Sequence, residues 1–249
     1  FMISQIYNTI LYQPIFNLLV FFYNIIPGHD LGLAILLITI VLKLVLYPFS
    51  VKSIKAQKSL QELQPQINEL RKKYKDNPQE LTKQTMTLYR QQKVSPFSSC
   101  LPLLIQLPIF IAVYQVFRQG LANSQNLNIL YPFIKNPGLI NTISFGFLEL
   151  SKSNIILAVL AGLAQFWVSK MLVVKKQPAV SGAKDEDMTA AVNKQMLYFM
   201  PLVTVFIGVS LPSGLTFYWL ITTLLTGLQQ WYVFKKINHQ HENIGQKNY

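Results

Sequence analysis

The chain has one cysteine, Cys100, three histidines, and ten acidic residues against 22 Lys and Arg. A single thiol excludes an intrachain disulfide and a thiolate metal cluster. His29, His239 and His241 lie far apart or beside no further ligand, and the chain holds no HExxH, GxSxG or P-loop pattern, so neither a catalytic centre, a metal nor a cofactor is expected. The acidic residues avoid every long apolar run, which removes the carboxylate relay of a proton-coupled carrier. No internal repeat is present, which weighs against a transporter built from inverted halves. The net charge of +12 is not interleaved with aromatics, so no specific nucleic-acid partner is expected. No basic, apolar, small-residue signal opens the chain at Phe1, and an N-terminus outside the cell would then imply processed upstream sequence.

What the chain has is apolar length. Half of it is hydrophobic (51%), in blocks longer than a soluble core element needs, which places it among multi-pass membrane proteins. The clearest block is Leu31–Ser50, LGLAILLITIVLKLVLYPFS, whose one internal charge is Lys43. Twenty helical residues cover the roughly 30 Å of a bilayer's hydrocarbon core. An ammonium in such a helix is either a working group or an anchor that snorkels to the nearer interface.

Further spans are expected at 96–118, 154–174, 197–211 and 215–234, five in all, with the fourth short enough to tilt little or thin the bilayer. Pro14–Ile26 is apolar but too short to cross, so residues 1–30 read as an outer interfacial helix, its surface broken by Asn17 and Asn24, with His29 and Asp30 as a solvated pair in the turn after it. Ten Lys and Arg fall between Val51 and Ser95 and five between Lys170 and Lys194, against Arg118, Lys135 and Lys152 in and beside the loop between them. By the positive-inside rule the two richer loops are cytoplasmic, the N-terminus is outside, and the C-terminus with its basic tail 235–249 is inside.

Within 51–95, Leu60, Leu63, Ile67, Leu70 and Tyr74 recur at spacings of three and four, the seam of an amphipathic helix that Pro65 should bend. Asn77, Pro78 and Glu80 supply a cap, a first-turn proline and a capping-box acid for a second helix. The segment is therefore a helical hairpin, either a solvated connector or a docking surface. Residues 119–153 read as an irregular external cap with turns at Tyr131-Pro132 and Asn136-Pro137-Gly138, and 175–196 as a flexible polar loop.

The polar residues inside the spans are Lys43, Gln106, Gln165, Thr204, Thr216, Thr222, Thr223 and Thr226. Singly, each is a helix-packing hydrogen bond. Together with one cation that would be costly to desolvate alone, they point to a wet cavity within the bundle.

Several stretches resemble the YidC/Oxa type of membrane protein insertase: LQPQINELRKKYKD at 63–76, SPFSSCLPLLIQLPIF at 95–110, MP at 200–201 and LPSGLTFYW at 211–219, in the family's order. The resemblance covers essentially the whole chain. It implies an all-α membrane protein of five transmembrane helices around a cytoplasm-open hydrophilic groove, with an outer interfacial helix and a cytoplasmic helical hairpin, in a bacterial inner membrane. Lys43 falls where the family carries one basic groove residue, usually arginine, while Ser95 and Ser99 replace its Asn and Gly. The implied function is ATP-independent insertion, non-enzymatic, of nascent membrane proteins. Lys43, Gln106, Gln165, Thr216, Trp219 and Thr223 would line the groove, and the client's apolar part would pass into lipid along 154–174 and 215–234. Leu60, Leu63, Ile67, Leu70, Arg71, Lys72 and Lys73 would recruit clients, with the ribosome and a Sec-type translocon as candidate partners. Two rivals use the same residues: a small-solute channel or carrier, and an assembly scaffold that moves no polypeptide.

Overall fold

The computed structural model describes residues 2–95, 101–120, 129–172 and 195–247. Cys100, the start of the span read at 96–118 and most of the loop at 175–196 lie outside the described residues. In order come α1 (Met2–Tyr7), a wide helical turn (Asn8–Tyr12), α2 (Gln13–Ile25), α3 (Leu31–Val45), α4 (Tyr47–Lys73), α5 (Pro78–Gln91) and α6 (Leu101–Gln115). A second wide turn (Val116–Gly120) follows, then a two-strand hairpin of β1 (Ile143–Ser144) and β2 (Leu148–Glu149), α7 (Ile155–Leu172), a third wide turn (Gln195–Phe199), α8 (Met200–Ser210) and α9 (Ser213–Lys247). Of the described helices, Ile155–Leu172 alone is by itself long and apolar enough to cross a membrane; the bent pair α3 and α4 is a second candidate if it counts as one span.

The run Leu31–Ser50 is not one straight helix. α3 ends at Val45 and α4 sets off at 68° to it. Pro48 explains the break, because it has no N–H to give the Leu44 carbonyl and its ring would strike that carbonyl if the helix ran on. Leu46 bridges the two helices, its N–H on the Leu42 carbonyl at 3.0 Å and its own carbonyl accepting from Ser50 at 2.9 Å. By contrast α4 runs unbroken through Pro65, and Asn77 caps α5 as read, accepting from the Glu80 N–H at 3.1 Å.

α7 packs on α8 and α9 through small residues, and α9 also packs on α3. A Cβ at Gly208 would lie 3.0 Å from that of Ala158, and one at Gly162 would lie 2.4 Å from Val205 Cγ2. Close backbone approach of this kind holds helices together where lipid gives no hydrophobic drive. The outward faces are apolar: Leu44 on α3, Leu104 on α6, Ile156 on α7, Phe206 on α8 and Leu228 on α9 are all exposed. So much uncovered apolar surface fits a bilayer rather than water as the surroundings.

One end of the bundle is closed by residues 129–153. Asn17 and Asn24 do not break the surface of α2 but hold this cap. Asn17 is 1% exposed; its amide donates to the Ile129 carbonyl and its carbonyl accepts from the Tyr131 N–H, while Asn24 donates to the Lys135 carbonyl at 2.6 Å. Helical structure also extends from Met2 through Ile25, with Phe16, Leu19 and Val20 in the core, so this segment is longer and more deeply packed than Pro14–Ile26 alone implied. The His29–Asp30 pair is likewise engaged. His29 Nδ1 meets the Tyr23 carbonyl at 2.9 Å. Asp30 caps α3 through the Leu33 N–H at 3.0 Å and accepts from Ser144 Oγ and the Phe145 N–H, the last at 2.6 Å. The α8–α9 turn docks beneath, with the Ser213 N–H on the Lys152 carbonyl and the Gly214 N–H on that of Leu150.

The cap should weaken in acid. Burial raises the Asp30 carboxyl, but hydrogen bonds from Ser144, Phe145, Leu33 and Gly32 outweigh it and leave it below its ordinary value. Hydrogen bonds from Thr142 and Ser151 hold Glu149 down to about 2. A depressed folded value means that the stabilisation is complete above the ordinary carboxylate range, 4.5 for Glu149, and is lost as pH falls through the folded value. Amide exchange at Phe145 and Ser151, corrected for its intrinsic pH dependence, is expected to accelerate between those limits while that of α7 holds. Asp30→Ala should loosen the hairpin at neutral pH, costing about 1–2 kcal/mol as the loss of a helix cap does, read as a lower thermal midpoint in detergent.

Candidate functional site

The polar residues of the spans sort by the helical period of α9. At 100° per residue, Tyr218, Thr222, Thr226 and Gln229 fall within about 80° of arc, while Thr216, Thr223 and Gly227 fall on a neighbouring face. The first set looks toward α6 and α3. Gln106 Nε2 donates to the Tyr218 hydroxyl at 2.7 Å, and Lys43 Nζ donates to Thr226 Oγ1 at 2.6 Å. Thr226 in turn donates to the Thr222 carbonyl at 2.6 Å. The result is a polar row that continues to Gln230, twelve residues or about 18 Å along the helix, more than half of a bilayer's apolar thickness.

Lys43 lies in the last turn of α3, where unpaired helix carbonyls favour a cation. It stands two residues, about 3 Å, from the helix end, nearer than the seven residues to Ser50 that a straight helix would give. The Thr226 hydroxyl is its sole described hydrogen-bond partner, and no described carboxylate pairs with it. Beside it opens a recess of about 250 Å³ between α3 and α9, walled by Ile40, Leu44, Leu225 and Gln229, with Tyr47 and Tyr232 also lining it. The row is incompletely satisfied: Gln229 Nε2 and Gln230 Nε2 are buried without a hydrogen-bond partner among the described residues. Buried polar atoms left open in this way call for water or a ligand.

The other expected groove residues are placed differently. Thr216 is fully buried and donates to the Gly208 carbonyl at 3.1 Å, so it locks the α8–α9 hairpin; its companion Thr223, 6% exposed, shares that face. Thr204 spends its hydroxyl on the Met200 carbonyl of its own helix. Trp219 is half-buried and meets Phe110 of α6 edge-on at 5.4 Å between centroids. Gln165 is half-buried on α7, and no described hydrogen bond ties it to the row. Reading the spans for polar residues one at a time misses Tyr218, Gln229 and Gln230. The signal that could find two of them is the four-residue spacing of Tyr218, Thr222, Thr226 and Gln230.

The hairpin of α4 and α5 is fastened at its base. Lys58 Nζ sits 5.3 Å above the Phe234 ring, and Gln61 Nε2 donates to the Met171 carbonyl at 3.3 Å. Of the residues expected to recruit clients, Leu63 and Ile67 are buried, Leu60, Leu70 and Arg71 are half-buried, and Lys72 and Lys73 are exposed. The apolar seam is thus largely used within the fold, which leaves a basic surface near the tip. Beyond Phe234, α9 continues as helix to Lys247, so the described part of the tail extends the last helix.

Residues 21–241 match the family described as 60Kd inner membrane protein. The chain is 32% identical over 222 residues to the membrane protein insertase YidC of Endomicrobium trichonymphae, covering 89% of this chain and 39% of that protein. It is 37% identical over 213 residues to the membrane protein insertase YidC of Francisella tularensis subsp. novicida (strain U112), covering 85% of this chain and 34% of that protein. The chain spans between a third and two fifths of the length of these relatives.

Proposed function

The chain belongs to the 60Kd inner membrane protein family, and from that premise we propose that it is the membrane-embedded core of a protein insertase. In this reading five spans cross a bacterial inner membrane, at Leu31–Ser50 (bent at Leu46), 96–118, 154–174, 197–211 and 215–234. The end closed by residues 129–153 faces outward, and the α4–α5 hairpin and the end of α9 face the cytoplasm, in keeping with the charge of the loops. The relatives carry the printed name of membrane protein insertase, and the substrates proposed for this chain are accordingly nascent membrane proteins.

The observation that carries the reading is the polar row on α9 with Lys43 at its inner part, in a bundle whose outer faces are apolar. A client approaches over the basic tip of the hairpin, and a short polar or acidic flank enters beside Lys43. Gln106, Tyr218, Thr222 and Thr226 keep that path hydrated, Trp219 and Gln165 lie at its wall, and the outer cap keeps it from becoming a pore. The client's apolar segment moves directly into lipid along α7 and α9. No nucleotide is needed, because burying some twenty apolar residues is worth many kcal/mol at about 0.8 per methylene; the protein lowers the barrier for the flank alone. The reaction is a transfer between phases without covalent change, and delivery of the client by a ribosome or a Sec-type translocon would leave that step as it is.

Purified protein in liposomes, given a single-span client with an acidic outer flank and no nucleotide, is expected to protect that flank from added protease well above the level of empty liposomes. Equal protection in empty liposomes would overturn the proposal.

A further inference from the structure

A second recess, of about 430 Å³, opens between α7 and α9 at the end of the bundle opposite the cap. It is lined by Met171, Trp231, Phe234, Lys235, Asn238 and His239. Its volume lies within the roughly 300–1,000 Å³ of sites that hold small molecules. At 100° per residue the five positions on α9 share one face, and they rise about 12 Å from Trp231 to His239. Along that rise the chemistry changes in order. Met171, Trp231 and Phe234 make the first part apolar, and Lys235, Asn238 and His239 supply the second with nitrogen donors. Lys235 Nζ stands 5.5 Å from the centroid of the Trp231 ring, at the boundary between the two. No carboxylate lines the recess, and no ion pair engages Lys235 among the described residues. The neighbouring ammonium of Lys58, over the Phe234 ring, is by contrast 3.6 Å from Glu62.

We propose that this recess binds one anionic phospholipid of the cytoplasmic leaflet. Its headgroup phosphate lies against Lys235, Asn238 and His239, and the start of its acyl chains lies against Met171, Trp231 and Phe234. An amphiphile fits because the order of the lining, apolar and then basic, is its own order from chain to headgroup. The apolar runs 154–174 and 215–234 both end in lysine pairs, Lys175-Lys176 and Lys235-Lys236, the pattern of helices that leave a bilayer on its anionic side. A basic lining without a carboxylate favours an anionic headgroup over a zwitterionic one, whose own cation would meet Lys235. The bound lipid joins the ends of the two helices along which the client's apolar segment moves. This inference rests on the insertase reading, which puts this end of the bundle at the cytoplasmic face.

The test reads lipid rather than insertion. With Trp167→Phe and Trp219→Phe in place, Trp231 is the only indole of the chain. Its fluorescence is followed in phosphatidylcholine vesicles that carry rising mole fractions of chain-brominated phosphatidylglycerol or, separately, chain-brominated phosphatidylcholine. The brominated phosphatidylglycerol is expected to reach half of its quenching at about fivefold lower mole fraction, the scale of one basic residue at an anionic surface. Adding Lys235→Gln should abolish that preference. Lys93→Gln, an equal change of charge on an exposed residue beyond α5, should leave it intact. Equal quenching by the two lipids would overturn the proposal, as would equal losses in both lysine variants, which would mean diffuse surface charge. So would the absence of quenching by either lipid, and so would relief of quenching by inorganic phosphate at constant ionic strength, which would mean a site for the free anion. A persisting phosphatidylglycerol preference in protein that fails to insert its client strikes the insertase reading and leaves the lipid site; normal insertion without the preference strikes this inference alone.

Discussion

Lys43→Glu is expected to reduce insertion of an acidic-flank client at least tenfold, with Lys43→Ala intermediate and Lys43→Arg close to wild type. Two unit charges 4 Å apart at an effective dielectric constant near 20 interact by about 4 kcal/mol. Reversing the sign turns that attraction into repulsion, and a quarter of the swing already exceeds the roughly 1.4 kcal/mol of a tenfold change. Lys43→Arg keeps the charge, and the guanidinium could still donate to Thr226, although its planar fork fits a hydroxyl less well than a carboxylate. Insertion of a neutral-flank client controls for folding: it should survive Lys43→Ala, because the change removes attraction for acid and leaves the apolar transfer intact. Should all four proteins insert the acidic client alike, Lys43 is an anchor for α3, and the polar row must work without it.

Gly214→Leu is expected to destabilise the bundle more than any single loss of a polar contact, by about 3 kcal/mol, the upper part of the usual range for overpacking. A bare Cβ at Gly214 would already lie 2.2 Å from Cε1 of Phe117 and within 2.9 Å of two more ring atoms. Phe117 is 7% exposed, so its ring has no free direction in which to turn away. The contact joins the start of α9 to the turn after α6, directly below the Leu150 carbonyl that accepts from the Gly214 N–H. Thermal midpoints in detergent should therefore drop sharply for Gly214→Leu and recover in part when Phe117→Ala is added, since the double variant exchanges bulk across one contact. An unchanged midpoint for Gly214→Leu would show that the outer end yields far more readily than its packing indicates.

Some of this architecture is legible in the residues and some is not. Asn77, Pro78 and Glu80 act locally, and their cap forms as read, because all its partners lie within four residues. Asn17, Asn24 and Asp30 read as surface polar residues for the opposite reason. Beyond the local bonds of Asn17 and Asp30, their partners in the cap are Ile129, Tyr131, Lys135, Ser144 and Phe145, more than a hundred residues away, and no local pattern announces them. The seam on α4 reads correctly as apolar, but a spacing of three and four does not say whether a partner molecule or the protein's own fold covers it. Here Leu63 and Ile67 are buried within the chain.

By itself the sequence determined the helical class, the apolar segments, the two basic loops and Lys43 as the one charge inside the first run, because helical period, apolar length and charge bias are properties of neighbouring residues. The tertiary structure decided which polar residues meet. It joined Lys43 to Thr226 and Gln106 to Tyr218, turned Thr216 to the α8–α9 hairpin, and left Gln229 Nε2 buried without a partner among the described residues. These outcomes depend on the rotation of α9 about its axis and on the break at Leu46. Both are set by close packing at Gly208, Gly214 and Gly227 and by the steric demand of Pro48 against the preceding turn, through contacts between helices distant in the chain.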